Sequence, residues 1–82
     1  MTDEEARERV AHNLKRLRGE RSYHEIAREC QTSAGAIRNI ELGNRMPGIG
    51  LMTRLAESLD VPIDELLKPL VVQRSARRTS LK

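Results

Sequence analysis

Aromatic side chains are almost missing from this chain. It has no phenylalanine and no tryptophan, and Tyr23 is its single tyrosine. A core built from it must be aliphatic, drawn from Leu, Ile, Val and Ala. Cysteine occurs once, as Cys30. A lone cysteine excludes an internal disulfide and fits a reducing, cytoplasmic setting. On the apolar face of a short helix it reads as a small core residue. No Cys/His cluster has ligand spacing for zinc, so neither a metal nor a cofactor is expected. No apolar run approaches the length of a membrane span. The opening MTDEEARERV is charged and has no apolar stretch, so it does not read as a secretory signal. Catalytic sets are missing too. His12 and His24 fall on separate helices, and no Ser/His/Asp or Cys/His pairing has a motif around it. The GIG after Pro47 lacks the lysine and the preceding strand of a phosphate loop. An enzyme is not expected, nor a small-molecule substrate.

What remains is a chain of 82 residues, enough for one domain with a modest core. Such a domain is either marginally stable or helped by dimerisation. A third of the residues are charged, with a net charge of +3. A basic balance permits nucleic acid as a partner but does not establish it. Distribution says more. From Gly48 to Leu70 acids outnumber bases, whereas from Val71 onward Arg74, Arg77, Arg78 and Lys82 occur with no acid.

The most informative stretch is Ser22 to Glu41. Ser22 with Glu25 three residues on is a capping box. Ile26, Ala27 and Cys30 share one face of the helix that follows. Gln31 and Thr32 break the pattern. Ser33 can cap a second helix whose inner face carries Ile37 and Ile40. Two short amphipathic helices bury their stripes by packing on each other, which suits a helix-turn-helix. In that motif the second helix enters the major groove. Its outer face would present Ala34, Gly35, Arg38 and Asn39.

The flanks are also helical in pattern. Thr2 or Asp3 can cap a first helix, with Asp3, Glu4 and Glu5 against its positive end. Val10, Leu14 and Leu17 mark its buried face, and Gly19 suits its end. After a loop bracketed by Gly43 and Pro47, a fourth helix runs from about Ile49 to Asp60. Its inner positions are Met52, Leu55, Ala56 and Leu59, with Ile49 at the start. Leu51 lies off that face and is expected to be half-buried or part of a partner surface. Pro62 can open a fifth helix carrying Ile63, Leu66 and Leu67, which Pro69 stops.

The run from Ser22 to Leu67 resembles the phage-repressor and Cro-like (XRE) helix-turn-helix family of transcription regulators. Ser22, Glu25, Ile26 and Ala27 match its small-cap, acidic, aliphatic-alanine opening. Ile37, Ile40, Glu41, Gly43 and Pro47 match the end of its recognition helix and the next loop. Leu55, Ala56, Leu59, Val61, Leu66 and Leu67 match its last two helices. Two positions depart from the pattern. Tyr23 stands where the family usually has Gln, and Gln31 stands where it usually has Gly. The second departure puts a non-glycine residue in a left-handed conformation, at about 1 kcal/mol or more.

The resemblance implies an all-α, five-helix, lambda-repressor-like domain over residues 1–69, with the helix-turn-helix formed by helices two and three. Residues 70–82 are then a short apolar run and a basic, flexible tail. It also implies an ion pair between Glu41 and an arginine near the end of helix one. The leucine register selects Arg18, and counting back from the Ser22 cap selects Arg16. Arg18 is preferred, because the other register would put His12 and Lys15 in the core.

The expected function is that of a transcriptional regulator, a repressor, binding a palindromic operator in double-stranded DNA as a homodimer through the recognition helix 33–41. Arg38 can take guanine O6 and N7, and Asn39 adenine N6 and N7. Ala34 and Gly35 let the backbone approach the groove. Phosphate contacts are expected from Ser22, Tyr23, Ser33, Asn44 and Arg45; Tyr23 covering the core edge and Arg45 remaining in water are the competing readings. Leu67, Leu70, Val71 and Val72 form the expected dimer surface. The tail residues Arg74, Arg77, Arg78 and Lys82 read as a basic arm on DNA, as an addition to the dimer surface, or as a solvated tail. Two rival functions stay open. One is an antitoxin that represses its own promoter and binds a toxin protein through its tail. The other is an interaction module that kept the fold without DNA binding.

Overall fold

A computed structural model describes residues 1–70. The described residues form four α-helices and one 3-10 segment, with no strand among them. The first helix, α1, spans Asp3–Arg18. Thr2 is its cap: the Glu5 amide donates to Thr2 Oγ1 at 3.1 Å and the Thr2 amide donates to Glu5 Oε1 at 2.8 Å. The helix stops at Gly19, whose φ of 61° and ψ of −124° are accessible essentially to glycine alone.

The next two helices make the turn-linked pair. Helix α2 spans Tyr23–Glu29 and α3 spans Ala34–Glu41. Ser22 and Glu25 close a second capping box. Ser33 Oγ accepts from the Ala36 amide at 3.1 Å. Between them the chain reverses at Gln31, which takes a φ of 58°. The Thr32 amide reaches back to the Ala27 carbonyl at 2.9 Å, so the turn satisfies a carbonyl that the end of α2 would otherwise leave free. Gln31 does this without glycine's freedom.

Helix α4 spans Ile49–Leu59 and ends on Asp60, also left-handed, with a φ of 58°. Where a fifth helix was expected there is a 3-10 segment, Ile63–Leu67. The reason is length. Pro62 and Pro69 leave room for little more than one turn, and Pro69 disfavours the α conformation at Lys68.

The core is aliphatic. Val10 and Leu14 of α1, Ile26, Ala27 and Cys30 around α2, and Ile37 and Ile40 of α3 meet Leu51, Met52, Leu55, Ala56 and Leu59 of α4 and Leu66. Full burial of a Leu or Ile contributes about 1.5–3 kcal/mol, and Leu14, Ile26, Ile37, Ile40, Leu55 and Leu66 are all fully buried. Two sequence expectations for α4 fail. Ile49 is 80 % exposed, and Leu51 is buried at 8 %. Side chains of a helix lean toward its N-terminus, so the first residue projects past the end of the core. Leu51 instead sits one turn before Leu55 and widens the apolar stripe.

Polar ties fix the packing angles. Asn13 is a buried polar residue of α1. Its Nδ2 donates to the Leu66 carbonyl at 3.1 Å and the Lys68 carbonyl at 3.0 Å. Arg54 Nε donates to the Cys30 carbonyl at 2.8 Å, and Arg21 Nη1 to the Ser58 carbonyl at 3.3 Å. These bonds hold α1 to the 3-10 segment and α4 to α2.

Candidate nucleic-acid interface

Helix α3 shows the interior Ala36, Ile37 and Ile40 and shows solvent Gly35, Arg38 and Asn39, with Ala34 half-buried. The division follows from period 3.6: the three apolar positions bind the helix to the core, and the outer side chains make no hydrogen bond among the described residues. An exposed arginine and asparagine one turn beyond a glycine give a ridge with two bidentate hydrogen-bonding groups and a low point before them. Both groups match purine edges in a major groove.

The ridge is anchored at its far end. Arg18, the last residue of α1, donates from Nε to Glu41 Oε2 at 2.5 Å and from Nη2 to Glu41 Oε1 at 3.0 Å. Its third nitrogen, Nη1, donates to the Arg21 carbonyl at 2.7 Å. The Glu41 side chain is 3 % exposed and that of Arg18 is 15 %. Hydrogen bonding to Glu41 raises the Arg18 pKa further above its ordinary value. Arg16, the other arginine the sequence offered, bonds instead to Asn13 Oδ1 at 3.2 Å and Glu65 Oε2 at 3.4 Å. The fork-to-carboxylate geometry fixes the end of α3 against α1, so α3 cannot rotate independently of the body.

Of the residues expected at phosphates, Ser22 and Ser33 both use Oγ to accept a helix-start amide. Among the described residues neither hydroxyl donates a hydrogen bond. Tyr23 is half-buried, packs against the core and lies under the Arg18 guanidinium, whose Cζ is 4.4 Å from the ring centroid. Its ring therefore covers the core edge and the ion pair. Asn44 and Arg45 are exposed in the loop after α3, where the Asn44 amide donates to the Asn39 carbonyl at 3.0 Å. Gly43, with a φ of 78°, turns the chain there. The expected dimer surface is divided. Leu67 is half-buried against the core, Leu70 is 40 % exposed, and Val71 and Val72 lie outside the described residues, as do Arg74, Arg77, Arg78 and Lys82.

Sequence reasoning missed two supports. Asn13 was visible only as a polar residue at apolar spacing, three after Val10. Arg54 gave no signal, because its acceptor is a backbone carbonyl 24 residues away. Among the described residues no group of His, Cys, Asp and Glu could hold a metal ion, and no helix is long and apolar enough to cross a membrane. Burial pushes the Cys30 thiol up, away from the reactive thiolate.

A turn-linked helix pair with a capped, outward-facing second helix is the decisive geometry, and a family model for the helix-turn-helix matches residues 14–66. The chain belongs to the helix-turn-helix family. It is of the XRE type, and its members are DNA-binding regulators of transcription. The crystal structure of a hypothetical transcription factor from Neisseria has the same fold. It superposes with a TM-score of 0.73 at 22% identity, over 84% of this chain and 82% of that one. No curated protein matches the chain.

Proposed function

We propose that this helix-turn-helix protein is a repressor that binds a palindromic operator as a homodimer. The observation that carries the reading is the outer face of α3. Gly35, Arg38 and Asn39 face solvent together on a helix whose other side is buried and whose end is fixed by Arg18. Arg38 reads guanine, Asn39 reads adenine, and Asn44, Arg45, Ser22 at the start of α2 and Ser33 at the start of α3 hold phosphates.

Two arguments support the dimer. A single reading head of this size has limited affinity, and a two-fold partner doubles its contacts. The exposed Ile63, at the start of the 3-10 segment, and Leu70, after it, offer apolar surface. Repression needs only that the protein occupy DNA, which the interface alone can achieve.

The test is selection from a random DNA library, followed by salt titration on the selected site. Inverted half-sites centred about 10–10.5 base pairs apart, or a multiple of that, are expected. Arg38→Ala should weaken the selected site by about 1–3 kcal/mol and relax one base position. A single unrepeated site would overturn the dimeric reading. Equal loss on every sequence would make Arg38 a phosphate contact.

A further inference from the structure

After the 3-10 segment the chain crosses α1, and the crossing has a direction. Lys68 shares one hollow with His12 and Arg16, whereas Leu70 shares the next with Glu5 and Glu8. The chain therefore moves from the later turns of α1 to its earlier ones, antiparallel to the helix. The bonds from Asn13 to the Leu66 and Lys68 carbonyls hold it in this path, as does Arg9 Nη1, which donates to the Leu67 carbonyl at 3.4 Å. At Leu70, which is 40 % exposed, it is heading for the start of α1.

That start is acidic. Asp3, Glu4, Glu5 and Glu8 are all exposed, and none forms an ion pair among the described residues. Arg7 and Arg9 offset two of these four charges. The first three acids suit the positive end of the helix, but the dipole fades after the first turn and does not account for Glu8. Glu8 also stands four residues after Glu4, a like-charge spacing that weakens a helix. The sequence continues from Leu70 with Val71 and Val72, then with Arg74, Arg77, Arg78 and Lys82 and no acid. Arg74 is four residues past Leu70, a reach of up to about 13–14 Å. Glu8 and Glu4 are separated by about 6 Å along the helix axis. Arg74 is thus within reach of Glu8, and Arg77 and Arg78 are within reach of Glu4.

We infer that the groove between Leu70 and the first half of α1 is the docking surface for the chain's own residues 71–82, whose arginines pair with Glu4 and Glu8. Leu70, Val71 and Val72 supply apolar contact at the groove, and the ion pairs beyond them set the direction. Single exposed pairs contribute little, so the contact depends on several acting together. Docked there, the tail's cations face carboxylates and are withheld from phosphates, so the surface restrains binding to DNA of any sequence. This consequence rests on the DNA-binding function proposed above; the docking itself does not.

The experiment uses the full chain, at first without DNA. A helix variant, Glu4→Gln with Glu8→Gln, and a tail variant, Arg74→Gln with Arg77→Gln and Arg78→Gln, are compared with the wild type by backbone-amide NMR at low salt. Glu4 and Glu8 are exposed, so the helix variant keeps the fold. The tail variant should shift the amides of residues 3–9 and leave those of α3 in place. The helix variant should move the amides of residues 71–82 toward random-coil positions, and high salt should do the same to the wild type. Unmoved α1 amides in the tail variant overturn the proposal. Shifts that grow with protein concentration overturn it too, because they assign the groove to the tail of a second copy. On random-sequence duplex, the helix variant should bind more tightly than the wild type, with a salt slope steeper by about 0.9 for each arginine released. That gain should vanish when the tail is also neutralised, and a gain that persists overturns the restraint. If the wild type binds no duplex in a salt-sensitive manner, the DNA-binding function falls, while the NMR comparison still decides the docking.

Discussion

Replacing Glu41 by glutamine tests how α3 is held. The substitution keeps shape and removes charge. Arg18 then faces a neutral amide while remaining largely enclosed, with Tyr23 against one face of its guanidinium. Breaking a buried ion pair on one side costs about 3–5 kcal/mol, chiefly because the surviving charge is left unpaired. Small domains have about 0.05–0.15 kcal/mol of stability per residue, so this is a large part of the total. At about 4 °C or more per kcal/mol, the midpoint of melting should drop by at least about 12 °C. Arg18→Met should do comparable damage by leaving Glu41 alone. The double variant Arg18→Met, Glu41→Leu should be more stable than either charge-orphaning single variant, since an apolar pair replaces two charges at similar volume. Urea denaturation of the wild type, Arg18→Met, Glu41→Leu and the double variant closes the cycle, and a parallel cycle with Arg16→Met gives the control. Arg16 has a side chain 45 % exposed and a 3.4 Å contact to Glu65, so coupling of Arg16 with Glu41 should be near zero. Additive effects in the Arg18 cycle, or single variants within about 0.5 kcal/mol of wild type, would refute the argument that this pair fixes α3.

Three other outcomes are expected. Gln31→Gly should stabilise the protein by up to about 1 kcal/mol, since it relieves a left-handed non-glycine residue at some cost in unfolded-state entropy; a lower melting point would show that the Gln31 side chain contributes more than its backbone costs. Asn13→Leu leaves the Leu66 and Lys68 carbonyls without their donor and should cost about 1–3 kcal/mol, with hydrogen exchange accelerated first in Ile63–Leu67; uniform acceleration across all helices would argue against a local tie. The Glu5 carboxyl is held below its ordinary value, first by the Thr2 amide and then by the Thr2 hydroxyl. Its support for α1 is therefore complete above the ordinary carboxylate value and is lost as pH falls through the depressed one. An NMR titration of Glu5 at or above the ordinary value would remove that claim.

The turn-linked pair was legible because each of its signals is local. A capping box spans four residues and an amphipathic stripe spans two turns, so Ser22, Glu25, Ile26, Ala27, Ile37 and Ile40 disclose their places without knowledge of the rest of the chain. The ends of helices were less legible. Nothing in Thr2-Asp3 decides which residue caps until the reciprocal bonds with Glu5 are seen. Ile49 carries an apolar side chain at a position one turn before Met52, and periodicity alone cannot tell that the core ends before it. Asn13 was illegible for a different reason: its partners lie 53 and 55 residues away, and a polar side chain on an apolar face has no meaning until those carbonyls arrive.

The interface divides along the same line. Arg38 and Asn39 could be placed on the outer face from period 3.6, because Ile37 and Ile40 fix the phase of α3. The orientation of that helix against the body could not be, since it depends on which arginine meets Glu41, and two sequence counts disagreed by two residues. The geometry explains the disagreement. Arg18 is the last residue of α1, and Gly19 reverses the chain immediately after it, so that Arg21 folds back to accept from Arg18 Nη1. A count from the Ser22 cap assumes a longer connection and lands on Arg16, which points to the 3-10 segment through Asn13 and Glu65. The two arginines thus serve the two ends of the fold. Arg18 secures α3, the helix proposed to read DNA, and Arg16 joins Asn13 in securing the 3-10 segment. A substitution at Arg18 should therefore disturb DNA recognition together with stability, whereas one at Arg16 should act on the carboxyl-terminal segment and leave the base preference of α3 unchanged.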